Sequence, residues 1–169
     1  MVDGLLLRRF RDGSEAPFDA RRVREAFARL AVEIDGDGLA ELYAGDGGEG
    51  TIGLAGLRDP GGLTTAVVDV ARFTHGLAGL VHAIATAADL TVSLAGGHRV
   101  YLTDGGQVLH LPPPLAPAAH TCVDGPELHW WLTREATTPD GRPTPQPTRQ
   151  QAVSRSDALR SLFGLRRGD

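Results

Sequence analysis

At 169 residues the chain is long enough for one domain of ordinary size plus an appendage, and for a core that needs no disulfide or metal to hold it. Its 41% apolar and 22% charged content is that of a folded globular protein, and an aromatic content of 5% leaves the core to Leu, Val and Ala. A net charge of -4 excludes a broadly basic nucleic-acid binder, which depends on a cationic surface to displace counterions from phosphates.

Every basic residue is Arg, and Lys and Asn are absent, a usage that fits a GC-rich bacterial genome. Without lysine there is no Schiff-base chemistry and no phosphate-contacting lysine of a P-loop. Cys122 is the sole cysteine, so neither an internal disulfide nor a multi-cysteine zinc site can form. Residues 1–11 hold only three consecutive leucines ahead of their arginines, too short for a secretory leader, and no run reaches membrane-spanning length. Cytoplasmic residence without a membrane partner is the expectation.

Residues 5–11 read as a first strand closed by a turn at Asp12-Gly13. A helix follows, with Asp19 as N-cap, Phe18 and Val23 spaced as a hydrophobic staple, and Val23, Phe27, Leu30 and Ala31 on one stripe. After a turn at Asp35-Gly36-Asp37-Gly38, residues 39–44 alternate as a strand with Leu39, Glu41 and Tyr43 on one side. Residues 45–50 are a loop, residues 51–57 a strand weakened by Gly53 and Gly56, and residues 63–70 either a strand or the start of the next helix. From Gly76 to Ala88, Leu77, Leu80, Val81 and Ile84 recur at helical spacing, about 20 Å of helix with its apolar face on a sheet.

Residues 90–95 and 99–103 alternate on either side of Gly96-Gly97 and predict a hairpin. Residues 103–111 fit a third strand or a short capped helical turn before Pro112-Pro113-Pro114. Residues 120–123 fit a strand, and Asp124-Gly125-Pro126 opens a helix whose inward face is Leu128, Trp131 and Leu132. The domain therefore spans 1–136. A Pro- and Thr-rich linker, 137–148, reaches at most about 37 Å if extended, and an amphipathic basic tail occupies 149–169. In that tail Leu159, Leu162, Phe163 and Leu165 supply an apolar side, and Arg155, Arg160, Arg166 and Arg167 a charged one.

Residues 45–50 match G-x-G-x-x-G, but no helix opens at the third glycine, and Asp46 and Glu49 would set carboxylates against a bound anion; a hairpin loop is expected instead. Asp35-Gly36-Asp37-Gly38 resembles the start of a calcium loop, yet Leu39 and Asp46 stand where oxygen ligands are required, which leaves a turn. His110, His120, Cys122 and His129 are soft ligands without the spacing of a zinc site, so no metal or other cofactor is assigned. His75 and His82, seven residues apart on one helix face, can be drawn with Asp69 or Asp89 as an acid/base pair, but they are expected to border the packed face. With no G-x-S-x-G elbow either, no residue is assigned a catalytic role. Trp130 and Trp131 cannot both face one core, so Trp130 is driven to the surface, either as a partner contact or beneath the folded-back tail.

The order of Asp12-Gly13, Pro17-Phe18-Asp19, Ala87-Ala88-Asp89, the hairpin, Thr103-Asp104 with Gln107, His110-Leu111-Pro112 and Gly125-Pro126-Glu127-Leu128 resembles small α/β proteins of high-GC bacteria. Some of those sit among the immunity proteins of polymorphic toxin systems. The resemblance covers residues 5–136 and departs at Gly105-Gly106, where a helix-forming pair is expected. It implies a protein that binds and blocks a partner, with no catalytic residue to carry over. The expectation is thus an α+β fold, mostly antiparallel sheet with helices largely on one face. It is expected to act as a non-catalytic module contacting another protein or a second copy of itself through Trp130, Leu159, Leu162, Phe163, Leu165, Arg166 and Arg167. The alternative is a small-ligand binder or enzyme with a pocket between helices and sheet that uses His75, His82 or His110.

Overall fold

In the computed structural model, which describes residues 1–137, strand alternation organises the molecule. β1 (Gly4–Arg8) buries Leu5 and Leu7 completely and turns Leu6 and Arg8 to the other face. The chain leaves the sheet at Arg9, and β2 (Phe10–Arg11) and β3 (Ser14–Glu15) form a separate two-stranded ribbon. The one strand expected over residues 5–11 is thus two, because Phe10 turns into a small second core with Val100, Leu102 and Leu111 instead of extending the ladder. Asp12 and Gly13, at φ 50° and 78°, supply the left-handed pair that a two-residue hairpin turn requires.

α1 (Ala20–Arg29) begins where its cap predicts. The Asp19 carboxylate accepts from the amides of Arg21 and Arg22 at 3.0 and 3.1 Å, and Phe18 and Val23 are both buried. β4 (Leu39–Tyr43), β5 (Glu49–Gly53) and β6 (Thr65–Arg72) then form an antiparallel meander. The strand expected over residues 51–57 is displaced: it starts inside the glycine-rich stretch at Glu49 and stops at Gly53, and Gly56 at φ 86° belongs to the turn beyond it. The segment left open between strand and helix is strand, running on to Arg72.

α2 (His75–Ala88) is capped by the Thr74 hydroxyl and ends at Asp89 in the left-handed conformation, with Leu77, Val81, Ile84, Ala85 and Ala88 buried. β7 (Thr91–Leu94) and β8 (Val100–Leu102) make the expected antiparallel hairpin. Residues Gly105–His110 form a 3-10 helix rather than a third strand: Asp104 Oδ1 accepts from the Gly106 amide at 2.6 Å, and Gln107 Oε1 accepts from the Asp104 amide at 3.2 Å. This reciprocal capping sustains the turn despite the glycine pair. β9 (Ala119–Thr121) joins β8 in parallel, and α3 (Gly125–Thr137) follows, its Glu127 amide bound by Asp124.

The sheet order is β4-β5-β6-β1-β7-β8-β9, and every ladder except β8–β9 is antiparallel. The inward residues Leu5, Ile52, Val68 and Val92 share one core with Phe27, Val81, Leu128 and Leu132, so the three helices cover one face of an α+β fold. α2 and α3 cross closely: a Cβ on Gly125 would run into the Gly79 backbone. No helix among the described residues is long and apolar enough to cross a membrane. Thr137, expected to open the linker, is the last residue of α3; the rest of the linker and the tail lie outside the described residues.

Candidate functional site

The G-x-G-x-x-G match is the tight turn between β4 and β5, closed by bonds from the Ala44 amide to Gly48 O and from the Gly47 amide to Ala44 O. Asp46, within that turn, reaches the N-terminus of α2, where it accepts from the Thr74 hydroxyl at 2.7 Å and the Gly76 amide at 2.8 Å. The Thr74 bond, followed by the Gly76 amide, holds its carboxyl below the ordinary carboxylate value. No helix follows the third glycine, and the α2 N-terminus that meets this turn is satisfied by the protein's own carboxylate. Gly48 is required here, because a side chain would run into Thr74. The Asp35 carboxylate likewise closes its own turn, accepting from the amides of Asp37 and Leu39 at 2.9 and 2.8 Å.

The histidines go to separate places. His75 stacks on His129 with ring centroids 3.9 Å apart, and Phe73 stacks on the same His129 at 5.0 Å. His82 does not join His75: its Nε2 lies 2.9 Å from the Cys122 carbonyl oxygen and ties α2 to the segment before α3. His120 lies against Trp131 at 4.6 Å, and His110 Nε2 is 3.3 Å from Arg11 Nη1. Burial, then the neighbouring Arg99 guanidinium, lowers the pKa of His120; burial, then His75, lowers that of His129. The Cys122 thiol is buried and pushed up to about 12 by that burial. Among the described residues no group of three His, Cys, Asp or Glu side chains is placed to hold a metal ion.

The outer face of α3 carries the predicted contact residue. Trp131 is 6% exposed and Trp130 39%, the two rings meeting edge to face at 4.7 Å. The Arg134 guanidinium lies 5.0 Å from the Trp130 ring centre, and that of Arg99 5.7 Å from Trp131. Glu135 fastens this helix to the β7–β8 turn: Oε1 accepts from the amides of His98 and Arg99 at 3.1 and 3.2 Å, and Oε2 from the Tyr101 hydroxyl at 2.6 Å. Burial, then that bond, raises the pKa of the Tyr101 hydroxyl. Trp130 therefore stands on a platform held by a charged anchor. The other predicted contact residues, Leu159, Leu162, Phe163, Leu165, Arg166 and Arg167, lie outside the described residues.

Sequence reasoning missed two features. One is a polar hub at Asp89, which accepts from Arg11 Nη2 at 2.7 Å and from Gln107 Nε2 at 3.2 Å, with Arg9 Nε at 3.8 Å. It ties the end of α2 to the β2–β3 ribbon and the 3-10 helix, and offsets the unfavourable placing of a carboxylate at a helix C-terminus. The other is a groove of ≈ 470 Å³ beside β4, between that strand and the segment after α1. Leu30, Val32, Ile34 and Leu80 are among its apolar lining, and Glu33, Asp35 and Glu41 bring carboxylates to it. The alternation in residues 39–44 signals an outward row, but not that the row stands at a sheet edge.

The chain matches no family model, and no curated protein or solved structure is significantly similar to it.

Proposed function

We propose that the protein is a non-catalytic, cytoplasmic module that contacts a partner protein, as immunity or adaptor proteins do, with Trp130 as an anchor of that contact. The observation that carries this reading is Trp130 itself: a large ring with 39% of its surface open, on a helix fastened by Glu135 to the sheet. Aromatic side chains that are rigid before binding lose little entropy in a complex and are enriched among binding hot spots. The tail residues Leu159, Leu162, Phe163, Leu165, Arg166 and Arg167 belong to the same proposal, as a segment that docks into a groove of the partner. A pocket built on His75, His82 or His110 has less support, because these side chains engage His129, Cys122 and Arg11 at three separate places.

The test uses the full chain and its Trp130→Ala variant as baits in source lysate, with recovered proteins quantified. A protein recovered stoichiometrically by the first and lost by the second, at equal melting temperature, supports the proposal. Equal recovery by both, or no stoichiometric partner, overturns the role of Trp130. Deleting residues 149–169 separates the uses of the tail. Lost binding with unchanged melting means docking, and a lower melting temperature means packing on its own domain.

A further inference from the structure

We infer that the free edge of β4 is a second docking site, which takes an extended basic peptide of a partner protein as an added strand. The hydrogen bonds at its two ends orient the strand. Leu39 directs its amide to Asp35 Oδ1 at 2.8 Å and its carbonyl oxygen to the Asp35 amide at 2.8 Å, both away from β5. On the other side, Gly38 O accepts from the Leu54 amide at 2.6 Å, and the Ala44 amide donates to Gly48 O at 2.8 Å. Amide and carbonyl of one residue point to the same side of a strand and alternate along it. Ala40 and Leu42 therefore pair with β5, and Glu41 and Tyr43 turn both backbone groups outward. Among the described residues β4 is the first strand of the sheet order, with no strand beyond it.

An unpaired edge is a template for another strand, and the groove beside this one supplies apolar contacts at Val32, Ile34 and Leu80. Charge selects the occupant. Glu33, Asp35 and Glu41 line the groove and, among the described residues, no arginine does, so a strand carrying basic side chains is favoured. A second copy pairing β4 to β4 would bring Glu41 and its neighbouring carboxylates against their own kind, which disfavours it. Tyr43 is 65% exposed and donates its hydroxyl to Glu41 at 2.6 Å, fixing that carboxylate beside the open edge. β4 lies at the other end of the strand order from β7 and β8, where Glu135 fastens α3, so this site and Trp130 stand or fall separately.

The test is an amide-resolved titration of the full chain with an eight-residue peptide of alternating arginine and valine, and with its glutamate–valine counterpart. The expected result is binding of the arginine peptide alone, with the Glu41 and Tyr43 amides becoming protected from exchange. Tyr43→Pro removes one outward donor without breaking the β5 ladder, and should weaken binding at least about tenfold at unchanged melting temperature. The double variant Glu33→Gln, Glu41→Gln should cut the preference for the arginine peptide by a similar factor, and carries the test should the proline variant not fold. Shifts confined to α3, equal affinity for both peptides, or no binding at millimolar peptide would overturn the inference. So would concentration-dependent protection of Glu41 and Tyr43 without peptide, which would assign the edge to a second copy.

Discussion

Gly79 and Gly125 meet where α2 crosses α3, yet they differ sharply in what they tolerate. A Cβ on Gly79 has nothing within 4 Å, whereas one on Gly125 runs into the Gly79 backbone. Gly79 sits inside a helix, where alanine is favoured, so Gly79→Ala should raise stability by about 0.5–1 kcal/mol. Gly125→Ala must push two helix backbones apart and should lower it by about 1–3 kcal/mol. Urea denaturation of both variants decides this, and a neutral Gly125→Ala would mean that the helices separate at no cost. The contact between the β4–β5 turn and α2 follows the same logic: Gly48 in the turn and Gly76 in the first turn of α2 leave room for Asp46 and Thr74 to meet, so a glycine pattern that imitates a phosphate loop serves to seat a carboxylate on α2.

Between elements, the decisive fastening is that of α3 to the β7–β8 hairpin through Glu135. Glu135→Ala leaves the buried Tyr101 hydroxyl without its acceptor and should cost about 1–3 kcal/mol. Tyr101→Phe removes the hydroxyl while leaving Glu135 its two amides, and should cost less. Combining the two should add little to Glu135→Ala alone, because the unsatisfied group has gone; a denaturant double-mutant cycle measures the coupling, and strict additivity would refute it. The elements were legible where pattern is local. The apolar spacing of α2, the Asp19 cap and the alternation of the hairpin each lie within a few residues of sequence, as does the adjacency that forces Trp130 outward. What escaped depends on distant pairing. Phe10 leaves β1's line for a core made with residues 100–111, Asp89 meets Arg11 across 78 residues, and the strand read over residues 120–123, which is β9, owes its parallel place beside β8 to a ladder that no local pattern signals. The edge position of β4, which turns an ordinary outward row into a docking surface, follows only from the complete strand order.

At the scale of the whole molecule, six titrating groups among the described residues shape how stability depends on pH. His120 and His129 have pKa values lowered from an ordinary 6.5, chiefly by burial, so the folded state prefers them neutral and the unfolded state takes up their protons first. Their contribution is complete above about pH 6.5 and is lost as pH falls through the lowered folded values. Asp19 and Asp46, also lowered, extend that loss at more acid pH. Cys122 and Tyr101 set the opposite limb. Their pKa values are raised from ordinary values of 9.0 and 10.0, so their contribution is complete below pH 9 and is lost as pH rises above it, for Cys122 through its folded value of about 12. Melting temperature should therefore run flat between about pH 6.5 and 9 and fall on both sides. Two substitutions divide the limbs. His129→Gln should flatten the acid fall while leaving the alkaline side unchanged, and Cys122→Ala should delay the alkaline fall toward the tyrosine range. Scans from pH 4 to 11 check both, and an acid limb no shallower in His129→Gln would show that the ring stacked on His75 is not what the acid disrupts.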